Sequence, residues 1–398
     1  MPFRLSQLKE YDSFVVLDIG AYKVRVLIAE RCDGELHVLA RHSVRQSRKD
    51  IDGGSIADLY GVAKTVDRAM ERACDDAGVT PDHIVCSIGS ESILSDTLST
   101  NYVRDVPDEK ITFDEIDSVV SRFEKKSLER IRAKIPARLG IAASEMKLVA
   151  TTLTSIMIDG RSVSNPVGMT GSNVKLGFLN AFVPLSEYSS YRSIAKHLGK
   201  ELVSLVPVGI ALPKILESDD IAYDPNCFVD LGAYRTTVTV TRENRIVGTE
   251  TLPFGFSLLS DLLAIATSLG HIERDHMIAH PETIREESHK RLFSDFYEIL
   301  CEGIILAVHE IVQKPYLRNI FLSGLPAENP DVVRRLAESL PRAFMTTSDC
   351  VRVCPVSRAE YRSENHVIES LALMGFEISS YRHDPIAGIL RSIIYRYE

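Results

Sequence analysis

Apolar and polar positions follow the same plan twice along the chain. In the first stretch Phe14 to Leu17 is an apolar run, Asp18-Ile19-Gly20 marks a turn, and KVRVLIAE alternates as a half-buried strand does. Asp33-Gly34 is the expected turn of a second hairpin into ELHVLARHSV. Past IDGGSIADL, with Ser55 as the expected N-cap, Leu59, Val62, Ala63, Val66, Ala69 and Met70 recur at helical spacing up to Gly78. The predicted order is strand, hairpin, strand, helix.

The second stretch repeats that order with NCFVDLG, YRTTVTVT, a turn at Glu243-Asn244, RIVGTETLPF and a helix over about 257–268. Both copies carry Asp-(Ile/Leu)-Gly-Ala-Tyr-(Lys/Arg), at Asp18 to Lys23 and at Asp230 to Arg235. A single Asp-x-Gly is most often an ordinary hairpin turn. Two at equivalent places in two equivalent units indicate a duplicated domain. Between them, from His83 to Leu198, IVCSIGSESIL, KLVATTLTSIMID and VKLGFLNAFVP read as strands. FDEIDSVVSRFEKKSLERIRAKI and EYSSYRSIAKHLGK read as amphipathic helices, the first a solvated face from Glu124 to Lys134 because its charges are mixed.

At 398 residues, 45% hydrophobic and 25% charged, the chain is long enough for two separate cores. A net charge of −9 argues against a nucleic-acid partner, which needs a basic face. The start lacks the basic segment and apolar core of a signal peptide, so a cytosolic chain is expected. No apolar run approaches the roughly 20 residues of a membrane span. The seven cysteines fall mostly in apolar stretches and read as reduced, buried thiols; Cys350 and Cys354 lack a second pair and read as packing rather than zinc ligands.

The repeated hairpin carries the chemistry. A tight turn aims consecutive backbone N–H groups at one concave spot, a nest for phosphate oxygens. Glycine lets the backbone come close to the anion, and an aspartate at the strand end can hold a hydrated Mg2+ that bridges the phosphates. Two such hairpins facing each other would clamp a nucleotide between them.

That arrangement resembles the actin and sugar-kinase superfamily. The stretch from Ile158, IDGRSVSNPVGMTGSNVKL, narrows the resemblance to the bacterial cell-division family FtsA, through Asn165, Pro166, Gly168, Met169 and Gly171. Gly54, Ile56, Asp58 and Leu59 fit the family's Gly-x-Ile-x-Asp-(Leu/Ile) pattern. PilM of type IV pilus machines shares the architecture. The resemblance implies an α/β, actin-like ATPase fold of two duplicated domains facing a nucleotide cleft, with an FtsA-type inserted subdomain. The implied units are residues 1–83; an inserted subdomain and return over 84–198; a second domain over 199–350 with a small subdomain near 252–300; and a return over 351–381.

The implied cofactor is ATP or ADP with Mg2+. Asp18, Gly20, Ala21, Lys23, Asp230, Gly232, Ala233 and Gly324 would hold the nucleotide, and Asp18 and Asp230 the metal through water. The family pattern also breaks here. Tyr22 and Tyr234 stand at normally small positions, Thr237 replaces the last aspartate of the second hairpin, and Leu325 replaces a glycine. The helix that usually carries a ribose lysine reads RDHMIAH. Tyr22, Lys23, Tyr234 and Arg235 either bracket a bound nucleotide or close an empty cleft, and turnover is at most a weak ATPase.

The chain ends in HDPIAGILRSIIYRYE, where Ile386, Ile389, Leu390, Ile393 and Ile394 form one helical stripe with Arg391 and Arg396 off it. Residues 385–397 are thus expected to form an amphipathic helix lying in a membrane interface or packing on the protein. The resemblance implies the role of a membrane adaptor: tethering FtsZ through its C-terminal tail, self-assembly into a filament, an anionic membrane surface and later division proteins as partners. The implied location is the cytoplasmic face of the inner membrane at the septum. A PilM-like pilus platform and an active superfamily ATPase are the alternatives.

Overall fold

The computed structural model describes residues 11–90, 92–138, 145–163, 165–216, 225–243, 245–313, 317–324, 329–340, 344, 352–355 and 366–379. The chain opens with three antiparallel strands, β1 (Ser13–Ile19), β2 (Lys23–Cys32) and β3 (Glu35–Arg45). The β2–β3 turn has Asp33 at φ 52° and Gly34 at φ 83°, the doubly left-handed two-residue loop that suits the twist of a hairpin. A miniature hairpin of β4 (Ile51–Asp52) and β5 (Ser55–Ile56) follows, turning on Gly53 and Gly54.

Helix α1 (Leu59–Ala77) comes next, and its N-cap is Asp58, not Ser55. The Asp58 carboxylate accepts from Gly61 N at 3.0 Å, whereas Ser55 lies in β5 and its hydroxyl donates to Glu187 at 3.4 Å. The helix ends at Gly78, which takes the left-handed conformation at φ 67°. Its apolar stripe, Val62, Val66, Ala69 and Ala73, is wholly buried against the sheet. Each buried valine contributes about 1.5–3 kcal/mol.

β6 (His83–Ile88) then runs parallel to β1. An inserted unit follows, made of β7 (Leu94–Val103), α2 (Phe113–Arg138), β8 (Met146–Ile158), β9 (Arg161–Ser162) and β10 (Asn173–Pro184), with sheet order β7-β10-β8-β9. Its core joins Ile116, Val119 and Val120 of α2 to Leu176 and Phe178 of β10. Within α2 the charged Arg122, Lys125, Lys126, Glu129 and Arg130 are exposed, whereas Glu124 is buried. The Asn-Pro-Val-Gly-Met stretch is a turn that pins a neighbouring loop: Gly168 N donates to Ile111 O, Ile111 N to Met169 O, and Arg104 donates to the carbonyls of Glu109 and Gly171.

The chain returns through α3 (Leu185–His197) and β11 (Glu201–Pro207), which pairs parallel with β6. The first sheet therefore reads β3-β2-β1-β6-β11. The second unit holds β12 (Asn226–Leu231), β13 (Thr236–Arg242), β14 (Arg245–Leu252), α4 (Phe256–Ala266), α5 (His271–Ala279), α6 (Glu287–Ile311), β15 (Asn319–Ser323), α7 (Pro330–Ser339) and β16 (Arg352–Pro355). Its sheet reads β14-β13-β12-β15-β16. Both sheets thus have the same plan, two antiparallel hairpins followed by two parallel strands on the far side of the first strand.

Two boundaries differ from the sequence reading. β6 and β11 belong to the first sheet, so the inserted sheet occupies 94–184, and β16 keeps 352–355 in the second sheet. Helix α8 (His366–Ser379) then packs Ile368, Leu371 and Ala372 into the first core. Gly375 allows it to sit on Phe14, because a Cβ there would overlap the ring. Residues 385–397, with the proposed stripe Ile386, Ile389, Leu390, Ile393 and Ile394, lie outside the described residues. Among the described residues no helix is long and apolar enough to cross a membrane.

Candidate functional site

The two repeated hairpins close in the same way. Gly20 N donates to Lys23 O at 3.0 Å, and Gly232 N donates to Arg235 O at 2.9 Å, leaving Ala21-Tyr22 and Ala233-Tyr234 as two-residue loops. A Cβ on either glycine would press on the carbonyl it faces, so glycine is needed for the turn itself. The start of α4 docks on the second loop, Phe256 N on Gly232 O at 3.1 Å and Ser257 N on Ala233 O at 2.7 Å. Those helix N–H groups are spent on the hairpin.

Both hairpins open onto one cleft of about 810 Å³. Pockets for small ligands span roughly 300–1,000 Å³, so a nucleotide-sized molecule fits. All eight residues singled out for nucleotide line it: Asp18, Gly20, Ala21 and Lys23 from one side, Asp230, Gly232, Ala233 and Gly324 from the other. Gly324 follows β15 at φ 97°, and a Cβ there would run into the Leu231 carbonyl, so its role is to let two strands' ends approach. Leu325 lies outside the described residues.

The tyrosines line the cleft without filling it. Tyr22 is half-buried, and its hydroxyl donates to Asp275 of α5 at 3.3 Å. Burial, and then the Asp275 charge, push its pKa up. Tyr234 leans from the second hairpin onto the first core.

Three features of this site were not anticipated from sequence. The first is Arg25, the cross-strand partner of Asp18 in the hairpin, whose Nη1 lies 3.0 Å from Asp18 Oδ2. The other Asp18 oxygen accepts from Ser87 Oγ at 2.5 Å. The register of a two-residue loop, counted outward from Ala21-Tyr22, contains this pairing. In the second hairpin the matching partner of Asp230 is Thr237.

The second is a cross-cleft ion cluster. Asp275 accepts from Arg45 at 3.2 Å and is also bonded to Arg48, both near the end of the first unit's third strand. It sits on the very helix where the family pattern has a ribose lysine. The third is the contact made by Arg235, a residue the sequence did single out: its guanidinium packs on Gly54 of the miniature hairpin so closely that a Cβ at Gly54 would overlap it. Neither pairing has a local sequence signal, because the partners lie about two hundred residues apart.

The carboxyl of Asp230 is pushed up to about 6 by its enclosure and then by Asp18 opposite, against the pull of Ser323, Arg25 and Arg235. The resemblance implies a Mg2+ held through water by Asp18 and Asp230. Asp18, one of the two, does not suit it. Asp18 is already neutralised by a guanidinium and has both oxygens engaged. A guanidinium at that distance disfavours a dication on the same carboxylate. Among the described residues no three His, Cys, Asp or Glu side chains gather to ligate a metal directly.

Two sheets of one topology, each offering its first hairpin turn to a shared cleft, define an actin-like ATPase fold. Solved structures agree: the chain is similar to the PilM–PilN type IV pilus biogenesis complex, at 12% identity and TM-score 0.67, over 92% of this chain and 99% of that one. It is also similar to a diol dehydratase-reactivating factor in nucleotide-free form, at 9% identity and TM-score 0.51 over 92% of this chain and 100% of that one.

In sequence the chain is similar to the cell division protein FtsA of Streptococcus pneumoniae, at 22% identity over 245 residues, 61% of this chain and 50% of that protein. It is similar to FtsA of Rhizobium meliloti at 24% over 267 residues, 63% of this chain and 56% of that protein. The chain spans about half the length of the curated relatives it matches. No family model matches it.

Proposed function

We propose that this chain is an FtsA-type adaptor of bacterial cell division. It tethers FtsZ by its C-terminal tail to the cytoplasmic face of the inner membrane at the septum, assembles into filaments and recruits later division proteins. The observation that carries this reading is the similarity to FtsA sequences at 20–24% identity, on a fold with an inserted unit bearing the Asn-Pro-x-Gly-Met turn. Residues 385–397 are the proposed membrane helix, with Ile386, Ile389, Leu390, Ile393 and Ile394 facing the acyl boundary. A stripe with two arginines anchors weakly alone, so filament avidity makes attachment stable. The cleft holds the phosphates of a nucleotide, ATP or ADP, with little or no turnover.

The test is sedimentation of the full chain with anionic vesicles, with and without FtsZ. Co-sedimentation of FtsZ that is lost when the chain ends at Asp384, or when FtsZ lacks its tail, is the expected result. FtsZ left in the supernatant by the full chain sinks the reading. A pilus-platform role is the second reading, favoured by the superposition on nearly the whole PilM-containing chain. It predicts binding to a PilN-type partner and none to FtsZ.

A further inference from the structure

We infer that the cleft takes its phosphate ligand without Mg2+, with the Arg25 guanidinium as the resident counter-charge. This rests on the reading of the cleft as a nucleotide site. Arg25 and Asp18 are cross-strand partners, their side chains 18% and 10% exposed, joined at 3.0 Å. Ser87 holds the other carboxylate oxygen at 2.5 Å, so the aspartate is fixed from two sides and in turn fixes the arginine.

A water-held Mg2+ needs an anionic acceptor with room for an octahedral shell of waters. Asp18 is a poor acceptor for it, because Arg25 lies against one of its oxygens and Ser87 holds the other. The same pairing orients the guanidinium. It has five N–H donors in a rigid fork, one of them bonded to Asp18, and Arg25 is among the residues that line the cleft. A planar fork beside a phosphate gives paired, charge-assisted hydrogen bonds. Lys23 and Arg235, at the closing positions of the two turns, line the same cleft and add positive charge. At the matching place in the second hairpin Thr237 faces Asp230, so the device belongs to the first hairpin alone.

The experiment is isothermal titration of the full chain with ADP and with ATP, once in excess EDTA and once in millimolar Mg2+. The expected result is a Kd that agrees between the two buffers within about threefold. Arg25→Met is expected to weaken binding in EDTA by about tenfold or more, and to make the remainder improve with Mg2+ because Asp18 is released. Wild-type binding that requires Mg2+ overturns the inference and leaves the nucleotide reading standing. Absence of binding in both buffers ends the nucleotide reading and the inference with it. The wild-type comparison decides alone, so a variant that misfolds does not blunt the test; Arg25→Lys, which keeps a charge for Asp18, serves as the folded control.

Discussion

Asp18 and Asp230 occupy the same position in two copies of one hairpin, yet their partners differ. Asp18 faces an arginine, Asp230 a threonine. The carboxyl of Asp230 rises to about 6, through burial first and then the Asp18 charge. A carboxyl raised above its unfolded value near 3.9 binds its proton more tightly folded than unfolded, so it supports folding below that value and loses this support as pH climbs through about 6. Asp230→Asn is therefore expected to stabilise the protein at pH 8 relative to pH 4.5, by about 2 kcal/mol between the two. Urea unfolding at both pH values checks it, and an equal effect at the two refutes it. A second residue-scale prediction concerns Gly54, at φ 83° under the Arg235 guanidinium. Gly54→Ala combines a left-handed strain with a displaced arginine and should cost about 1–2 kcal/mol. In an Arg235→Met background the cost should shrink, which a double-mutant cycle measures. Seven of the eight candidate cleft residues were legible from the doubled motif itself, and Gly324 from the family resemblance. Arg25 was within reach of a register count, while the Gly54–Arg235 contact was not, since glycine there reads only as a turn former.

Among the secondary-structure elements, β2 follows from period-2 and α1 from period-3.6 patterning, whereas β1 and β12 are buried nearly throughout and read as apolar runs. The cap of α1 was misread for a definite reason. Ser55 was read as the cap, but Gly53 and Gly54 fold the segment back as a hairpin that carries Ser55 into a strand. Asp58 is left as the residue whose carboxylate reaches the first turn. Asp58→Ala should thus cost about 1 kcal/mol, and Ser55→Ala distinctly less. Chemical denaturation of both variants separates them; the reverse ranking would return the cap to Ser55. The Asn-Pro-x-Gly-Met turn, legible as a marker, proves to be a clasp around the Arg104 loop, a role that only its partners at 104–111 reveal.

For the whole molecule, the two units are joined across the cleft by Asp275 with Arg45, Arg48 and Tyr22. Arg45 is 65% exposed and Arg48 40%, so each pair is open to salt and worth no more than about 1 kcal/mol. Asp275→Ala, or raised salt, should therefore loosen the lip of the cleft without unfolding either core. Hydrogen exchange is expected to quicken over α5 and the end of β3 while α1 and β12 stay protected. Unchanged exchange in α5 would show that packing alone holds the lip.

The duplicated architecture has one more consequence. A clamp with true twofold symmetry would present a phosphate chain with two equivalent directions of entry, and a ligand would sit in either. Arg25 on one lip and Thr237 on the other remove that degeneracy. The two lips then carry different cations, Arg25 and Lys23 on one and Arg235 on the other, so an elongated ligand with one anionic terminus meets two binding directions of unequal energy and settles in one.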